Sequence, residues 1–429
     1  MITLYEWQID HANRLLAALI NNKAAIDASD TGTGKTYAAL WIAKQMKQPF
    51  LVICPKAVIP KWKELAEGLS ILDVMNVEKL KRSKYLRHTG KNWFWLLKSG
   101  TLVIFDEVHQ FGGIDTQNSR ILAQTKIAEL TVLGLSATIA YSPLRLRALG
   151  LLLGLFPDWW SFWKWTLNHG AYEDMIYTKY QGQVKRQRVI QFTPTSDRAK
   201  EGVKKIHQEI FDAKKGSRIQ ASKTPGFPDN HVFVDCLRFD YTSDIRKQYQ
   251  EMEKLIEEDS MIQLTKTLRL RQKIELLKVP DLVEMIKRII EECSVVIFVN
   301  FKDSLFAMEK VLHDLKPSII IGEQLIQNRE AERHLFQSNE TKICLCTYGA
   351  GGIGLDLHDI NNRPRISLLN PTWSAVQLKQ ALGRIHRADS LSPAIQKLIY
   401  AADTVEADVA KQVKANLDNL TLLQDGDLL

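Results

Sequence analysis

Ser29-Asp30-Thr31-Gly32-Thr33-Gly34-Lys35-Thr36 closes on Gly-Lys-Thr. It lies between an apolar run, Ala24 to Ala28, and an amphipathic one, Tyr37 to Met46. Strand, glycine loop and helix in that order are what a phosphate-binding loop needs. Such a loop turns its backbone N–H groups inward around a phosphate at a helix N-terminus. Gly32 and Gly34 allow backbone angles that a side chain forbids, and Asp30, Thr31 and Thr33 complete the cradle. Lys35 would set its ammonium on the β- and γ-phosphates, and the Thr36 hydroxyl would hold Mg²⁺. Ser29 stands where the usual pattern begins with glycine. The loop points to a nucleoside triphosphate and says nothing of how its energy is used.

A second chemical string is Leu102-Val103-Ile104-Phe105 running into Asp106-Glu107-Val108-His109. An apolar strand ending in two acids, downstream of a phosphate loop, is where the metal is held. Asp106 would bind Mg²⁺ and Glu107 would orient and deprotonate the attacking water. Ser136-Ala137-Thr138 follows another apolar run. Its hydroxyls, together with His109, are candidates to couple the acids to events elsewhere; a turn or helix cap is the plainer alternative. Further on, Gln380-Ala381-Leu382-Gly383-Arg384-Ile385-His386-Arg387 sets two arginines three apart, on one face if the segment is helical. Planar guanidiniums suit a γ-phosphate transition state. Gly349 to Asp356 is glycine-dense after an apolar run. That suggests backbone approached closely by phosphate or by a partner domain, with Gly354 and Asp356 as the nucleotide-side candidates.

These residues need elements to hold them. Strand-like runs occur at Ala24–Ala28, Phe50–Cys54, Leu102–Phe105 and Thr131–Leu135, with helical patterns such as Ile59 to Leu69 between them. Alternation of this kind predicts a doubly wound α/β domain over residues 1–155. The pattern breaks after about Leu155, where Trp159, Trp160, Phe162, Trp163 and Trp165 crowd together and basic segments follow. Residues 156–231 read as a helical insertion and basic linker. The tryptophans are expected to build a core rather than to stack on bases. Alternation resumes over residues 232–429, with strands at Val295–Val299, Ser318–Ile321, Lys342–Thr347, Arg365–Leu369 and Gln396–Ala401.

The 429 residues carry a net charge of +8, 45% hydrophobic residues and five cysteines. A modest basic excess fits a nucleic-acid partner without establishing one. Five scattered cysteines predict buried thiols in a reducing compartment, with Cys344 and Cys346 on one strand face and no zinc site. The longest apolar run, Leu149 to Phe156, is too short to span a bilayer. The expected location is the cytoplasm or nucleoid, or a host cytoplasm if a phage encodes the chain.

Taken together, the strings resemble superfamily 2 helicases and translocases, which carry two RecA-like domains. Leu4-Tyr5-Glu6-Trp7-Gln8 is similar to the upstream glutamine motif, so Gln8 would read the adenine. Within the superfamily the chain looks most like the Swi/Snf-type DNA translocases. That likeness rests on Val52-Ile53-Cys54-Pro55-Lys56 with Pro60-Lys61-Trp62, Tyr241-Thr242 with Tyr249, Leu270-Arg271-Gln272, Asn370-Pro371-Thr372-Trp373, and Leu398-Ile399-Tyr400 with Thr404-Val405-Glu406. There are departures: Ile139 follows Ser136-Ala137-Thr138 where a proline is common, Gly349 stands in place of arginine, and Ala388-Asp389-Ser390 follows Arg387.

The resemblance implies a minimal motor, of the kind phages and bacteria encode. ATP and Mg²⁺ would lie between the domains, with Arg384, Arg387 and Gln380 completing the site. Duplex DNA, bound without sequence preference, would be contacted by Lys56, Asn300, Lys302 and Thr347. Recombination, repair or replication factors are the implied partners, and a monomer the expected state. A strand-separating DNA or RNA helicase, and an ATP-switched nucleic-acid-binding scaffold, are the rival readings.

Overall fold

The computed structural model describes residues 2–90, 92–180, 183–237, 263–351 and 355–425, together with 250 and 254. The chain divides into two compact units. One holds Met1–Asp30, Gly34–Gln220 and Ala415–Leu429; the other holds Thr31–Thr33 and Ala221–Lys414.

Strands in chain order are β1 (Ala24–Asp27), β2 (Phe50–Ile53), β3 (Ile71–Met75), β4 (Leu86–Thr89), β5 (Asn92–Trp95), β6 (Leu102–Asp106), β7 (Thr131–Leu135), β8 (Tyr172–Tyr180), β9 (Gln183–Gln191) and β10 (Gly216–Ser217) in the first unit. The second unit has β11 (Asn230–Leu237), β12 (Ser294–Val299), β13 (Ser318–Ile320), β14 (Ile343–Thr347), β15 (Arg365–Leu369) and β16 (Ala394–Ala401). Each unit is built on a six-stranded sheet, ordered β10-β1-β7-β6-β2-β3 in the first and β11-β16-β15-β12-β14-β13 in the second. Every pairing in both is parallel. These are two RecA-like α/β domains in tandem.

Central strands of a parallel sheet are covered on both faces, which is why they read as unbroken apolar runs. Alternate side chains feed two cores in the first unit. Ile26, Leu51, Val103 and Phe105 face one, and Ala25, Val52, Ile104 and Leu133 face the other. Phe162 and Trp165 belong to the first core, with Trp159 and Trp163 packed against it. Most of the tryptophan cluster is thus core, and only Trp160 stands exposed.

The segment after Leu155 is helical only in part. It holds the helices Phe162–Asn168 and Asp197–His207, but between them β8 and β9 pair antiparallel as a separate ribbon. The following segment contributes β10 to the first sheet. Cys344 and Cys346 are buried on one face of β14 with their sulfurs 3.5 Å apart. Among the described residues no helix is long and apolar enough to cross a membrane.

Candidate functional site

β1 ends in Asp27, and the helix Lys35–Met46 begins at the other end of the loop. Gly34 takes φ +80°, and a Cβ there would sit 2.4 Å from the Gln8 side-chain nitrogen. The left-handed backbone would strain any side chain at this position, and the Gln8 amide would have to move aside for it, so glycine is favoured. The Lys35 ammonium donates to the backbone oxygens of Ser29 and Asp30, each at 2.9 Å. Burial pulls its pKa down, while the carboxylates of Asp27, Glu107, Asp106 and Asp30 pull it back up. Lys35 therefore faces four acids while resting on its own loop.

Gln8 is buried in the helix Glu6–Asn22 and closes a capping box with Tyr5, accepting the Tyr5 N–H at 2.9 Å. One turn on, His11 is fully buried and bridges Asp27 (3.1 Å) and Ser217 (2.9 Å) beneath the loop. Burial works to raise the Asp27 pKa, but His11, Lys35 and Ser29 outweigh it and hold the carboxyl below the usual range. The sequence reading missed this pair. Its signal was a histidine on the apolar face of the helix, three residues after Gln8.

Asp106 closes β6. Burial and the neighbouring Glu107 push its pKa up to about 6, against a hydrogen bond from the Trp62 indole at 2.9 Å. Trp62, quoted above only as part of a motif string, is thus a direct partner of the expected metal ligand. Glu107 adopts a left-handed backbone, φ 55° and ψ 49°. Non-glycine residues held this way cost of order 1–3 kcal/mol and cluster at functional sites. His109 Nδ1 lies 3.1 Å from Glu107 and 2.9 Å from the Ser136 hydroxyl. Ser136 in turn accepts the Thr138 N–H at 3.1 Å. The structure joins Glu107, His109, Ser136 and Thr138 in one network.

Hard oxygen donors from Asp106 and Thr36 fit Mg²⁺, which commonly takes only one or two carboxylates together with phosphate oxygens. No group of three or more His, Cys, Asp or Glu suited to a metal occurs among the described residues. The loop geometry and the half-buried ammonium fit a nucleotide phosphate.

In the second unit the helix Ala375–Leu382 stops at a Gly383 cap. Arg384 and Arg387 therefore follow the helix and do not share a helical face. Arg384 is buried and donates to the carbonyls of Gln380 (3.1 Å) and Leu355 (3.0 Å). Arg387 pairs with Asp356 at 2.9 Å, and Gln380 is buried nearby. Gly354 and the strings at Tyr241-Thr242 and Tyr249 lie outside the described residues.

Asn300 and Thr347 stand at the ends of the paired strands β12 and β14. The Asn300 amide donates to Glu275 (2.7 Å) and to the Pro371 carbonyl (2.8 Å), so its side chain is tied down internally. Lys302 begins the next helix and pairs with Glu323. Lys56 lines an open cleft of about 730 Å³ in the first unit with Asn76, Lys79, Arg82, Lys84 and Tyr85.

Residues 277–389 match the family Helicase conserved C-terminal domain. That stretch runs from the end of the helix Gln263–Leu277 through β15 and both arginines. The chain is an ATP-hydrolysing enzyme that carries a helicase-family domain. It is also similar to a protein of Acanthamoeba polyphaga mimivirus whose name assigns it, provisionally, to the ATP-dependent RNA helicases. The two are 29% identical over 99% of this chain and 84% of that protein. The similarity supports a nucleic-acid motor of superfamily 2.

Proposed function

We propose that this helicase-type ATPase is a translocase that moves along duplex DNA. The reading is carried by one observation: a phosphate loop whose lysine faces Asp106 and Glu107, the latter wired through His109 to Ser136. That network ties the state of the hydrolytic acid to a neighbouring strand end, as a motor requires. The Swi/Snf-like strings favour translocation on duplex DNA over simple switching.

Lys35 leaves its carbonyl rest to hold the β- and γ-phosphates, and Gln8 meets the base. Thr31, Gly32, Thr33 and Gly34 present backbone N–H groups, while Asp30, whose N–H is bonded to the Ile219 carbonyl, anchors the start of the loop. Asp106 and Thr36 hold Mg²⁺, which when bound screens the phosphate charge. Glu107 orients the attacking water and takes its proton. By the resemblance, Arg384 and Arg387, with Gln380, Gly354 and Asp356, would stabilise charge on the transferred group. Lys56, Lys302 and Thr347 contact nucleic-acid phosphates, and the cleft of Lys79, Arg82 and Lys84 extends the track. Asn300 acts at one remove, shaping the β12 end. Contacts of this sort carry no sequence information and weaken with salt.

The β8–β9 ribbon favours a second reading, a strand-separating helicase on DNA or RNA. It is a two-stranded element outside both sheets, and residues 175 to 196 carry Lys179, Lys185, Arg186 and Arg188 with no acid.

ATPase rates on single-stranded DNA, duplex DNA, forked DNA and RNA test the choice, alongside triplex displacement and fork unwinding. Strongest stimulation by duplex DNA with triplex displacement is the expected result. Robust unwinding of a fork, or stimulation by RNA alone, overturns the translocase reading in favour of the second.

A further inference from the structure

Ala28, Ser29 and Asp30 lead β1 into the phosphate loop, and they are gripped from the side by the chain around β10. The Ala28 N–H donates to the Ser217 carbonyl (2.9 Å) and the Asp30 N–H to that of Ile219 (3.0 Å), while the Ile219 N–H donates to the Ser29 hydroxyl (3.0 Å). Between those anchors lies Arg218, its side chain only 10% exposed. Its guanidinium reaches Asp30 at 3.1 Å and Asp425 at 3.0 Å. Asp425 is the last residue of the helix Val405–Asp425 and also accepts from the Gln220 amide. Next to it, Gln424 donates to the Ala137 carbonyl at 2.9 Å. Leu422 and Leu423 are set in the core of the first unit, so the helix end is a firm support.

Lys35 gives this arrangement its consequence. Two of the bonds on the loop arm come from the Lys35 ammonium, which rests on the Ser29 and Asp30 carbonyls. An ammonium drawn to a phosphate leaves both. In the loaded state Ser29 keeps its bonds to Asp27 and His11 and the arm keeps its ladder to β10, while the Arg218–Asp30 pair holds the Asp30 side chain at the mouth of the loop. A pair between a nearly buried guanidinium and a carboxylate is a charge-assisted bond with fixed direction.

We propose that Arg218 is a positioning residue for nucleotide binding: it holds the Ala28–Asp30 arm when Lys35 turns to the phosphates, and Asp425 fixes its guanidinium for that role. The proposal rests on the reading that this loop binds ATP.

The test uses the full chain with Arg218→Gln, Arg218→Lys, Asp425→Asn and the Arg218→Gln/Asp425→Asn double variant. Equilibrium binding of a fluorescent ATP analogue is measured without nucleic acid, and steady-state ATPase with a duplex oligonucleotide. Arg218→Gln should raise the analogue's Kd and the KM for ATP about tenfold, as expected for one charge-assisted bond. Its kcat should stay within about twofold, because the arm touches no reacting atom. Asp425→Asn should give a smaller rise of the same kind, Arg218→Lys should recover part of the loss, and the double variant should be no worse than Arg218→Gln. Unchanged Kd and KM in folded Arg218→Gln, additive effects, or a lowered Tm with kcat and KM both at wild-type values overturn the proposal. Should Arg218→Gln fail to fold, unchanged binding by Asp425→Asn overturns it equally. Binding by the wild type with no change in the variants sinks this inference alone, whereas a wild type that fails to bind the analogue sinks the ATP reading of the loop with it.

Discussion

The two sheets have the same construction and treat charge in opposite ways. At the strand ends of the first unit, charge is concentrated and left under tension. Lys35 is half-buried and faces four carboxylates, burial and Glu107 raise the Asp106 pKa to about 6, and Glu107 sits in a left-handed backbone. At the corresponding ends of the second unit, polar groups are tied to one another. Asn300 is bound to Glu275 and Pro371, Arg271 donates to Pro371 at 3.2 Å, and Arg384 rests on two carbonyls. The difference teaches how labour is divided. A site that binds a polyanion gains from an ammonium resting on neutral carbonyls, since a phosphate can take it from them. In the second unit the Arg384 guanidinium is held on carbonyls, which fixes its orientation.

The comparison breaks first at the arginines. Arg387→Ala should lower nucleic-acid-stimulated kcat by about 10³–10⁵, the range for an arginine acting on a phosphoryl transition state. KM for ATP should move far less. Loss of binding with kcat intact would instead make Arg387 a structural partner of Asp356. Glu107→Gln comes next, with a fall of about 10²–10⁴ in kcat, as for loss of a general base. Analogue binding should persist, because the amide keeps the shape. Equal hydrolysis by Glu107→Gln would remove the strained acid from the chemistry.

Much of this contrast was legible from residue order. The loop, the acids after β6 and the hydroxyls after β7 each follow an apolar run fully buried by its neighbours, and such runs announce parallel strands. What stayed hidden lacked a periodic signal. β10 is two residues long and is recognised only by its ladder to β1. At β8 and β9 the described Glu173, Asp174, Arg186, Gln187 and Arg188 are all exposed, so no apolar alternation marks the ribbon. Trp62 and Asp106 are 44 positions apart, and Arg218 and Asp30 are 188 apart. Pairings across such separations come from the fold. The two arginines share a face only if a helix runs through Gly383, and the helix ends at Leu382.

A finer test uses pH. Burial and Glu107 raise the Asp106 pKa to about 6 in the nucleotide-free protein. A carboxyl with a raised pKa takes its proton as pH falls through that value, and the neutral acid is a poor metal ligand. Since kcat/KM reads the free enzyme, it should be level above pH 7 and drop about tenfold per unit below pH 6. Asp106→Asn should abolish this limb together with activity. A kcat/KM profile flat down to pH 5 would show that the first unit does not hold its charge under tension.

The smallest effect is the most discriminating, because it alters the tension without touching the acids. Trp62 is buried, and its indole N–H opposes the protonation of Asp106 by stabilising the carboxylate. In Trp62→Phe the apolar ring remains and the donor is lost. A hydrogen bond to a charged group is worth about 1.5–3 kcal/mol, and 1.36 kcal/mol corresponds to one pKa unit. Partial replacement by water lowers that figure, so the acid limb of kcat/KM should move up by about one pH unit. Above pH 8, where Asp106 is ionised either way, the rate should stay within about threefold of wild type. A limb that does not move, with the rate lowered equally at every pH, would mean that Trp62 serves only to pack the helix against β2. Asp106 would then owe its balance to burial and Glu107 alone.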